Sequence, residues 1–353
     1  MLIGIIANIT KENVFDVVSS FIAKLKKEKV NYLLTKSIIE DKEKLRLKTD
    51  EDFISEDDEL YEKSDVIISI GGDGTMLATA YKAHTYDKPV LGLNLGKLGF
   101  LVETDVAQMD SVIDILKKKK YTIEERMVLS GVCIGHQTGE LIAVNDLVIE
   151  KGGWPKMIEL TAWVDDEYVT TFSADGLIIA TPTGSTGYSL SVGGPIVAPT
   201  AKAITLSPIS PHSLTVRPIV LSSEQVIKLK ANSPYKDVQV SCDGQRVFNF
   251  PPPLEIVIKK SDRPLKLIKT SLTTYFGTLR KKLLWGIDVR INKLNNEGKE
   301  FYYCPAPFIR LHLVFLDLYS LAIFWFSFYS ILFHSPYYFV YPNFPFIFVC
   351  GSF

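Results

Sequence analysis

The run Val66-Ile67-Ile68-Ser69-Ile70-Gly71-Gly72-Asp73-Gly74-Thr75-Met76-Leu77 constrains this chain more than any other stretch. Val66 to Ile70 is rich in β-branched residues and reads as a short buried strand. It stops at two glycines, passes through one acid and turns helical in Leu77-Ala78-Thr79-Ala80. A strand that enters a helix through glycines presents unpaired backbone N–H groups, and such groups hold phosphate. An acid inside that cradle repels phosphate unless a metal or a reacting hydroxyl lies between them. Asp73 is therefore a candidate for chemistry. The plainer reading, a Gly-Asp-Gly turn after a strand, stands beside it because such turns are common.

The rest of the chain narrows the setting. A length of 353 residues suggests two domains with a substantial core. The net charge of −1 gives no reason to expect a nucleic-acid partner. Cys133, Cys242, Cys304 and Cys350 are far apart and form no CxxC or Cys/His cluster. That argues against structural zinc or a disulfide framework and fits a reducing cytoplasm. Leu2-Ile3-Gly4-Ile5-Ile6-Ala7 lacks the basic leader of a secretory signal and reads as a first strand.

Val14, Val17, Val18, Phe21, Ile22 and Leu25 fall at helical spacing, with Thr10 as the expected N-cap. Val30 to Leu34 reads as a second strand, and the charged stretch 40–65 as a solvated helix and loop. Pro89 to Leu93 is another buried strand, leading into the turn Asn94-Leu95-Gly96-Lys97-Leu98-Gly99-Phe100-Leu101. Strands alternating with helices make this half an α/β domain with a mainly parallel sheet. Ligands in such sheets sit at the carboxyl ends of strands, so both glycine turns are expected to face one crevice. Val106 to Lys120 reads as a helix, and the pattern changes near 120–126. Alternating segments follow at Val128–Ile134, Glu140–Glu150, Met157–Val164, Glu167–Phe172, Gly176–Ala180, Gln225–Leu229, Asp237–Cys242 and Leu254–Ile258. They describe an all-β second domain. The expected division is an α/β domain over 1–124, a β-rich domain over 125–270, a helix within 271–292 (Thr274 to Trp285) that folds back on the first domain, and a tail from 293 to 353.

Asp175-Gly176 and the following Thr181-Pro182-Thr183-Gly184-Ser185-Thr186-Gly187-Tyr188-Ser189-Leu190-Ser191 form the densest polar and glycine-rich stretch. Small hydroxyl residues between glycines let backbone approach a ligand and offer several donors and acceptors, and Tyr188 offers a ring for stacking. A mere linker of this composition would rarely carry Tyr, Leu, Val and Ile between its glycines. Asn145-Asp146 interrupts an apolar strand; it is either a bulge or a pair that hydrogen-bonds a ligand's sugar or amide groups.

Together these pieces resemble the NAD kinases, the ATP-dependent enzymes that phosphorylate the adenosine ribose 2′-hydroxyl of NAD. The resemblance runs from Ile3 to about Arg290 and rests on Gly71–Thr75, the Asn94–Leu101 turn, Asn145-Asp146, the Asp175–Pro195 stretch, Pro211-His212-Ser213-Leu214 and Arg217-Pro218. The Gly-Gly-Asp-Gly-Thr motif alone is shared with lipid kinases and phosphofructokinases; the run from Thr181 is far more specific. The resemblance implies that Asp73 is the base toward the 2′-hydroxyl, with Gly72 and Gly74 lining the phosphate site. It implies that Asn145 and Asp146 hold the dinucleotide, and that Asp175, Thr186, Gly187, Tyr188, Ser189, Leu190 and Ser191 line the rest of its pocket. Lys156 matches a basic position that contacts NAD, where many members carry Arg; a lysine there neutralises phosphate without forking onto it. Gln245, in the turn Asp243-Gly244-Gln245, matches another binding position, and Ser173 stands where some members carry a basic residue. The resemblance also implies ATP as phosphoryl donor, a divalent metal such as Mg²⁺, and a homo-oligomer, a dimer or tetramer, assembled through the β-rich domain. No second carboxylate stands at metal-ligand spacing near Asp73, so Mg²⁺ is expected to ride largely on the nucleotide. The alternatives are a related lipid or small-molecule kinase and a non-catalytic dinucleotide-binding regulator.

Beyond Arg290 the character changes: residues 301–353 hold half of the chain's aromatics, and Leu318 to Val349 contains no Asp, Glu, Lys or Arg. Leu318–Phe333 falls short of the ~20 residues a membrane span needs. The preferred reading is an adventitious or artefactual extension, of the kind AT-rich DNA yields beyond a gene's end, with a membrane anchor as its competitor.

Overall fold

The computed structural model describes residues 1–284 apart from 12, 40–53, 97–98, 103 and 154. The expectations for the 293–353 tail, Lys97, Leu98 and Trp285 lie outside the described residues.

The first domain is built on a mainly parallel sheet. Its strands run in the order Ile54–Ser55, Asn31–Thr35, Leu2–Ala7, Val66–Gly71, Val90–Asn94, Leu265–Lys269 and Thr122–Arg126, with Thr104–Asp105 also paired to Val90–Asn94. The strand order reverses between Leu2–Ala7 and Val66–Gly71, a topological switch point of the kind where open α/β sheets bind ligands. The helix Val14–Lys27 buries Val14, Val18, Phe21, Ile22 and Leu25 against one face. Each such side chain contributes about 1.5–3 kcal/mol. Asp16 in its first turn and Lys24, Lys26 and Lys27 in its last complement the helix dipole. Its N-cap is Asn13, not Thr10, whose hydroxyl instead bonds Asn8 Oδ1 at 2.7 Å within the preceding turn. The opposite face of the sheet packs Leu60, Tyr61, Met76, Leu77, Ala80 and Ala83 from the helices Asp57–Lys63 and Asp73–Thr85.

The second domain is a sandwich of two six-stranded antiparallel sheets. One runs Ile219–Ser222, Ala203–Ile209, Gly176–Ala180, Asp146–Glu150, Val238–Cys242, Arg246–Phe250; the other runs Glu167–Ala174, Ile158–Val164, Ile227–Asn232, Leu254–Lys260, Leu129–Cys133, Leu141–Ala143. Their inward residues, among them Leu147, Leu160, Leu177, Leu229, Val240 and Ile256, form one core. Two assignments differ from the sequence reading. Glu140–Glu150 is two strands in different sheets, separated at Val144-Asn145. Leu265–Lys269, expected within the β-rich segment, instead joins the α/β sheet, parallel to Val90–Asn94 and antiparallel to Thr122–Arg126. The chain thus crosses to the sandwich after Arg126 and returns before Leu265, so the two domains share one sheet boundary. The helix Tyr275–Leu283 follows, capped by Thr274 Oγ1, which accepts from Gly277 N at 3.2 Å.

Candidate active site

The strand Val66–Gly71 is buried along its whole length and delivers Asp73 to the first turn of the helix Asp73–Thr85. At Gly71 a Cβ would lie 2.4 Å from Thr75 Oγ1, so only glycine lets the strand turn into the helix there. Gly71 O accepts from Leu95 N at 3.1 Å, which ties the starts of the two glycine turns together. The second turn then closes on Asp73: Phe100 N donates to Oδ2 at 2.8 Å, and Leu101 N and Val102 N donate to Oδ1 at 3.1 and 3.0 Å. Such convergent amides hold a carboxylate in one orientation. A Cβ at Gly99 would stand 1.8 Å from Asp73 Oδ1, so this glycine is what allows the turn to reach the acid. The carboxylate remains about one-third exposed, at 35 %, with Lys282 Nζ 3.9 Å from Oδ2.

Asn145 and Asp146 sit where the chain passes between the two sheets of the sandwich. A third acid holds them. Asp243 Oδ2 accepts from Val144 N at 3.1 Å, and Oδ1 accepts from Asn145 N and Asp146 N at 2.6 and 3.2 Å. Arg246 Nη2 reaches Asp243 Oδ2 at 3.3 Å and Ile142 O at 2.6 Å. The two buried carboxyl groups affect each other: burial, then the charge of Asp243, pushes the Asp146 carboxyl up to about 7. Burial also raises Asp243, against the three amides and the guanidinium that favour its charge. The polar glycine-rich loop leans on the same segment. Thr181 N donates to Asn145 O at 2.8 Å, and a Cβ on Gly184 would stand 2.1 Å from that oxygen. Asn145 Oδ1 is buried without a hydrogen-bond partner, a polar atom left available to a ligand.

These groups surround a pocket of about 320 Å³ lined by Asn145, Asp146, Glu150, Tyr188, Asp243 and Gly244, with Val148, Ser241 and Val247. That volume, with polar side chains from Asn145, Asp146, Glu150, Tyr188, Ser241 and Asp243 set beside Val148 and Val247, suits a small polar ligand. The pocket adjoins Asp73 through one turn: Asp243 and Gly244 line it, and the next residue, Gln245, donates from Nε2 to Gly74 O at 2.6 Å.

The remaining residues named from sequence divide into two groups. Tyr188 is 43 % exposed at the pocket, and its hydroxyl is raised by partial burial and by the charges of Glu150, Asp175 and Asp146 around it. Asp175 pairs with Lys151 at 2.6 Å, and Gly187 lies close to Asn145 Nδ2 and Asp146 Oδ2. Gly72 and Gly74 flank Asp73, and Thr186 Oγ1 bonds Thr183 O at 3.3 Å. Ser189 does not line the pocket: it is fully buried, and its hydroxyl meets Ser207 Oγ at 2.9 Å beneath the loop. Leu190, Ser191 and the exposed Lys156 also lie outside the pocket lining, and Ser173 is exposed on the strand Glu167–Ala174. The sequence reading assigned no role to Asp243, Arg246, Arg126 or Lys282. Arg126 is 2 % exposed and donates from Nη1 to Thr183 Oγ1 at 3.1 Å, so it braces the glycine-rich loop from the strand Thr122–Arg126. Asp243 had a signal, a carboxylate directly before Gly-Gln in a turn; the contacts that give the other three their place, Arg246 to Ile142 O, Arg126 to Thr183 and Lys282 to Asp73, join residues far apart in sequence.

An acid at a glycine-turn helix N-terminus, beside a pocket built from a second domain, is the arrangement of a small-molecule kinase. The comparisons carry this further. Residues 3–121 match the family described as ATP-NAD kinase N-terminal domain, and residues 144–270 match ATP-NAD kinase C-terminal domain. The chain is 38 % identical over 284 residues to the NAD kinase of Thermoanaerobacter sp. (strain X514), covering 80 % of this chain and 98 % of the relative. It is 37 % identical to the NAD kinase of Chlorobium phaeovibrioides, covering 81 % and 99 %. Among solved structures, yeast NADH kinase complexed with NADH superposes with a TM-score of 0.74 at 25 % identity, covering 82 % of this chain and 89 % of that one. An NAD kinase from Archaeoglobus fulgidus in complex with ATP gives 0.62 at 28 % identity, covering 79 % and 99 %. The chain belongs to the ATP-NAD kinase family.

Proposed function

We propose that this chain transfers the terminal phosphoryl group of ATP to the 2′-hydroxyl of the adenosine ribose of NAD, giving NADP. The observation that carries the reading is the Asp243-Gly244-Gln245 turn, which joins the pocket to the first turn of the Asp73 helix. A dinucleotide held at Asn145, Asp146 and Tyr188 has its ribose hydroxyl beside Asp73. Asp73 takes the hydroxyl proton as the oxygen attacks phosphorus, and the three amides from Phe100 to Val102 keep its carboxylate aimed. The glycine turn and the helix N-terminus receive the phosphates. Gly72 and Gly74 flank Asp73 there; Gly187 beside Asn145 and Asp146, and Asp175 near Tyr188, border the pocket as dinucleotide contacts, and Thr186 is assigned with them by the resemblance. Lys156, Ser189, Leu190 and Ser191 lie away from the pocket lining, and their assignment rests on the resemblance alone.

Among the described residues no three His, Cys, Asp or Glu side chains converge as a cation site. The donor set at the glycine turn is one carboxylate, which fits a divalent cation carried in by the donor triphosphate. When bound, that cation would neutralise charge on the donor phosphates, with Asp73 as the carboxylate of the glycine turn near it. The reading extends to a homo-oligomer built on the sandwich, supported by the family membership and by the exposed Ile219 and Val220 on the edge strand Ile219–Ser222. It also places the protein in the cytoplasm, in keeping with the buried free thiols Cys133 and Cys242. No helix among the described residues is long and apolar enough to cross a membrane.

The test is the full chain with ATP, Mg²⁺ and NAD, scored for NADP, beside Asp73→Asn. The variant keeps the side-chain size and removes the base, giving up one acceptor to the amides of Phe100–Val102, so kcat is expected to fall by about 10²–10⁴ with NAD binding by calorimetry retained. Near-full turnover in Asp73→Asn would overturn the mechanism. Phosphorylation of lipid instead of NAD would overturn the substrate.

A further inference from the structure

The glycine turn that receives the donor carries no cation of its own. From Gly71 to Ala80 there is no Lys or Arg, yet Asp73 and a triphosphate would concentrate negative charge there. Phosphoryl transfer depends on neutralising the charge spread over the transferring group's oxygens. The structure supplies a cation from the far end of the described chain.

Lys282 lies in the last turn of the helix Tyr275–Leu283. Thr278 and Leu279, one turn earlier on the same helix, are buried, at 2 % and 1 % exposure. Residues three and four apart share a helix face, so the anchored face is the one that carries Lys282. Its ammonium stands 3.9 Å from Asp73 Oδ2 and 4.5 Å from the centre of the Phe100 ring. Phe100 is also the residue whose amide donates to Asp73 Oδ2, so one residue orients the acid and seats the cation. At 3.9 Å the ion pair is longer than a hydrogen bond, and the lysine side chain keeps 31 % of its surface. A lysine so placed is anchored by its stem and has donors left for an anion entering between itself and the glycine turn.

We propose that Lys282 is a catalytic cation of this kinase, contacting the oxygens of the phosphoryl group in flight. The proposal rests on the kinase reading given above. In the step, the ribose oxygen bonds to the terminal phosphorus while its proton passes to Asp73. The bond from that phosphorus to the bridging oxygen breaks, and its electron pair leaves with ADP. Lys282 supplies charge and hydrogen bonds that strengthen as the transfer proceeds.

The experiment uses the full chain with Lys282→Met, Lys282→Arg and, as a control, Lys281→Met on the neighbouring exposed position. Steady-state kinetics are paired with the affinity for NAD alone and for ADP with aluminium fluoride and NAD, which mimics the group in flight. Lys282→Met is expected to lose about 100-fold in kcat. It should keep its NAD affinity within about threefold, and lose affinity for the fluoride complex in proportion to kcat. Lys282→Arg should recover part of both, and Lys281→Met should stay near the unaltered chain. A kcat for Lys282→Met within threefold of the unaltered chain overturns the proposal. So does an equal loss of affinity for NAD and for the fluoride complex, which marks a folding contact. If the unaltered chain itself forms no NADP, the kinase reading fails; if it does and Lys282→Met keeps pace, only the role of Lys282 fails.

Discussion

Asp146 and Asp243 place two carboxyl groups in one buried corner, and that corner has a pH signature. The carboxyl of Asp146, ordinarily near 3.8, is raised to about 7 by burial and by its neighbour. Between those values the folded protein holds a proton that the unfolded chain has lost. The associated stability is therefore complete below about pH 4 and is lost as pH rises through 7. Asp146→Asn keeps the shape without the charge. Its melting temperature relative to the unaltered chain should rise from pH 5 to pH 8, as measured by calorimetry in parallel buffers. A difference that is flat with pH would show that the acid is ionised in the fold. Sequence reading found Asp146 because a polar pair interrupts an apolar strand. It named the turn that carries Asp243 but gave the acid no role, since the three amides that converge on it come from about 100 residues away.

At the scale of elements, the helix Asp73–Thr85 is fastened to its surroundings at both ends. Near its start Gln245 bonds Gly74 O, and near its end His84 Nε2 meets Arg263 O at 2.9 Å. Between them Tyr81 lies under Arg246, whose guanidinium carbon is 3.6 Å from the ring centre. The same guanidinium bonds Asp243 and Ile142 O, so Tyr81 links the base-bearing helix to the segment that carries Asn145 and Asp146. Tyr81→Ala should cost about 1–2 kcal/mol of stability, read by urea unfolding. It should raise KM for NAD several-fold while kcat changes less; the reverse pattern would mean that the link acts on Asp73 instead. The helix Val14–Lys27 was legible from its helical periodicity and the strand Val66–Gly71 from its β-branched run. The strand Thr122–Arg126 was not legible. Its five residues bury only Arg126, so the strand lacks the alternating apolar signal that marks an edge.

For the whole molecule the open question is the composition of 293–353. Every residue given a role lies before 285, and the charge-free aromatic run from Leu318 to Val349 would be an association hazard in water. Removing 293–353 is expected to leave NAD phosphorylation intact and to raise the soluble yield. Light scattering on the truncated protein should still report an oligomer. A monomer with full activity would refute assembly through the sandwich, and loss of folding on truncation would show that the tail packs on the kinase core. Sedimentation of the full chain with membranes, while the truncated protein stays in solution, would identify the tail as an anchor.

Taken alone, the sequence determined the two-domain α/β and all-β plan and the candidacy of Asp73, Asn145, Asp146 and Tyr188. These follow from features a few residues long: a strand ending in glycines, a polar break in an apolar run, hydroxyls between glycines. What only the tertiary structure decided is how those pieces meet. Gly99 admits the second turn to Asp73, Asp243 gathers three amides, Gln245 joins the pocket to the base, and Lys282 returns to the acid from the last described helix. Each contact closes a loop of roughly 25 to 210 residues, estimated from the separations in chain, and a loop that long costs only logarithmically more than a short one. Its partners are therefore selected by packing and charge in the folded state, and no spacing in the sequence records them.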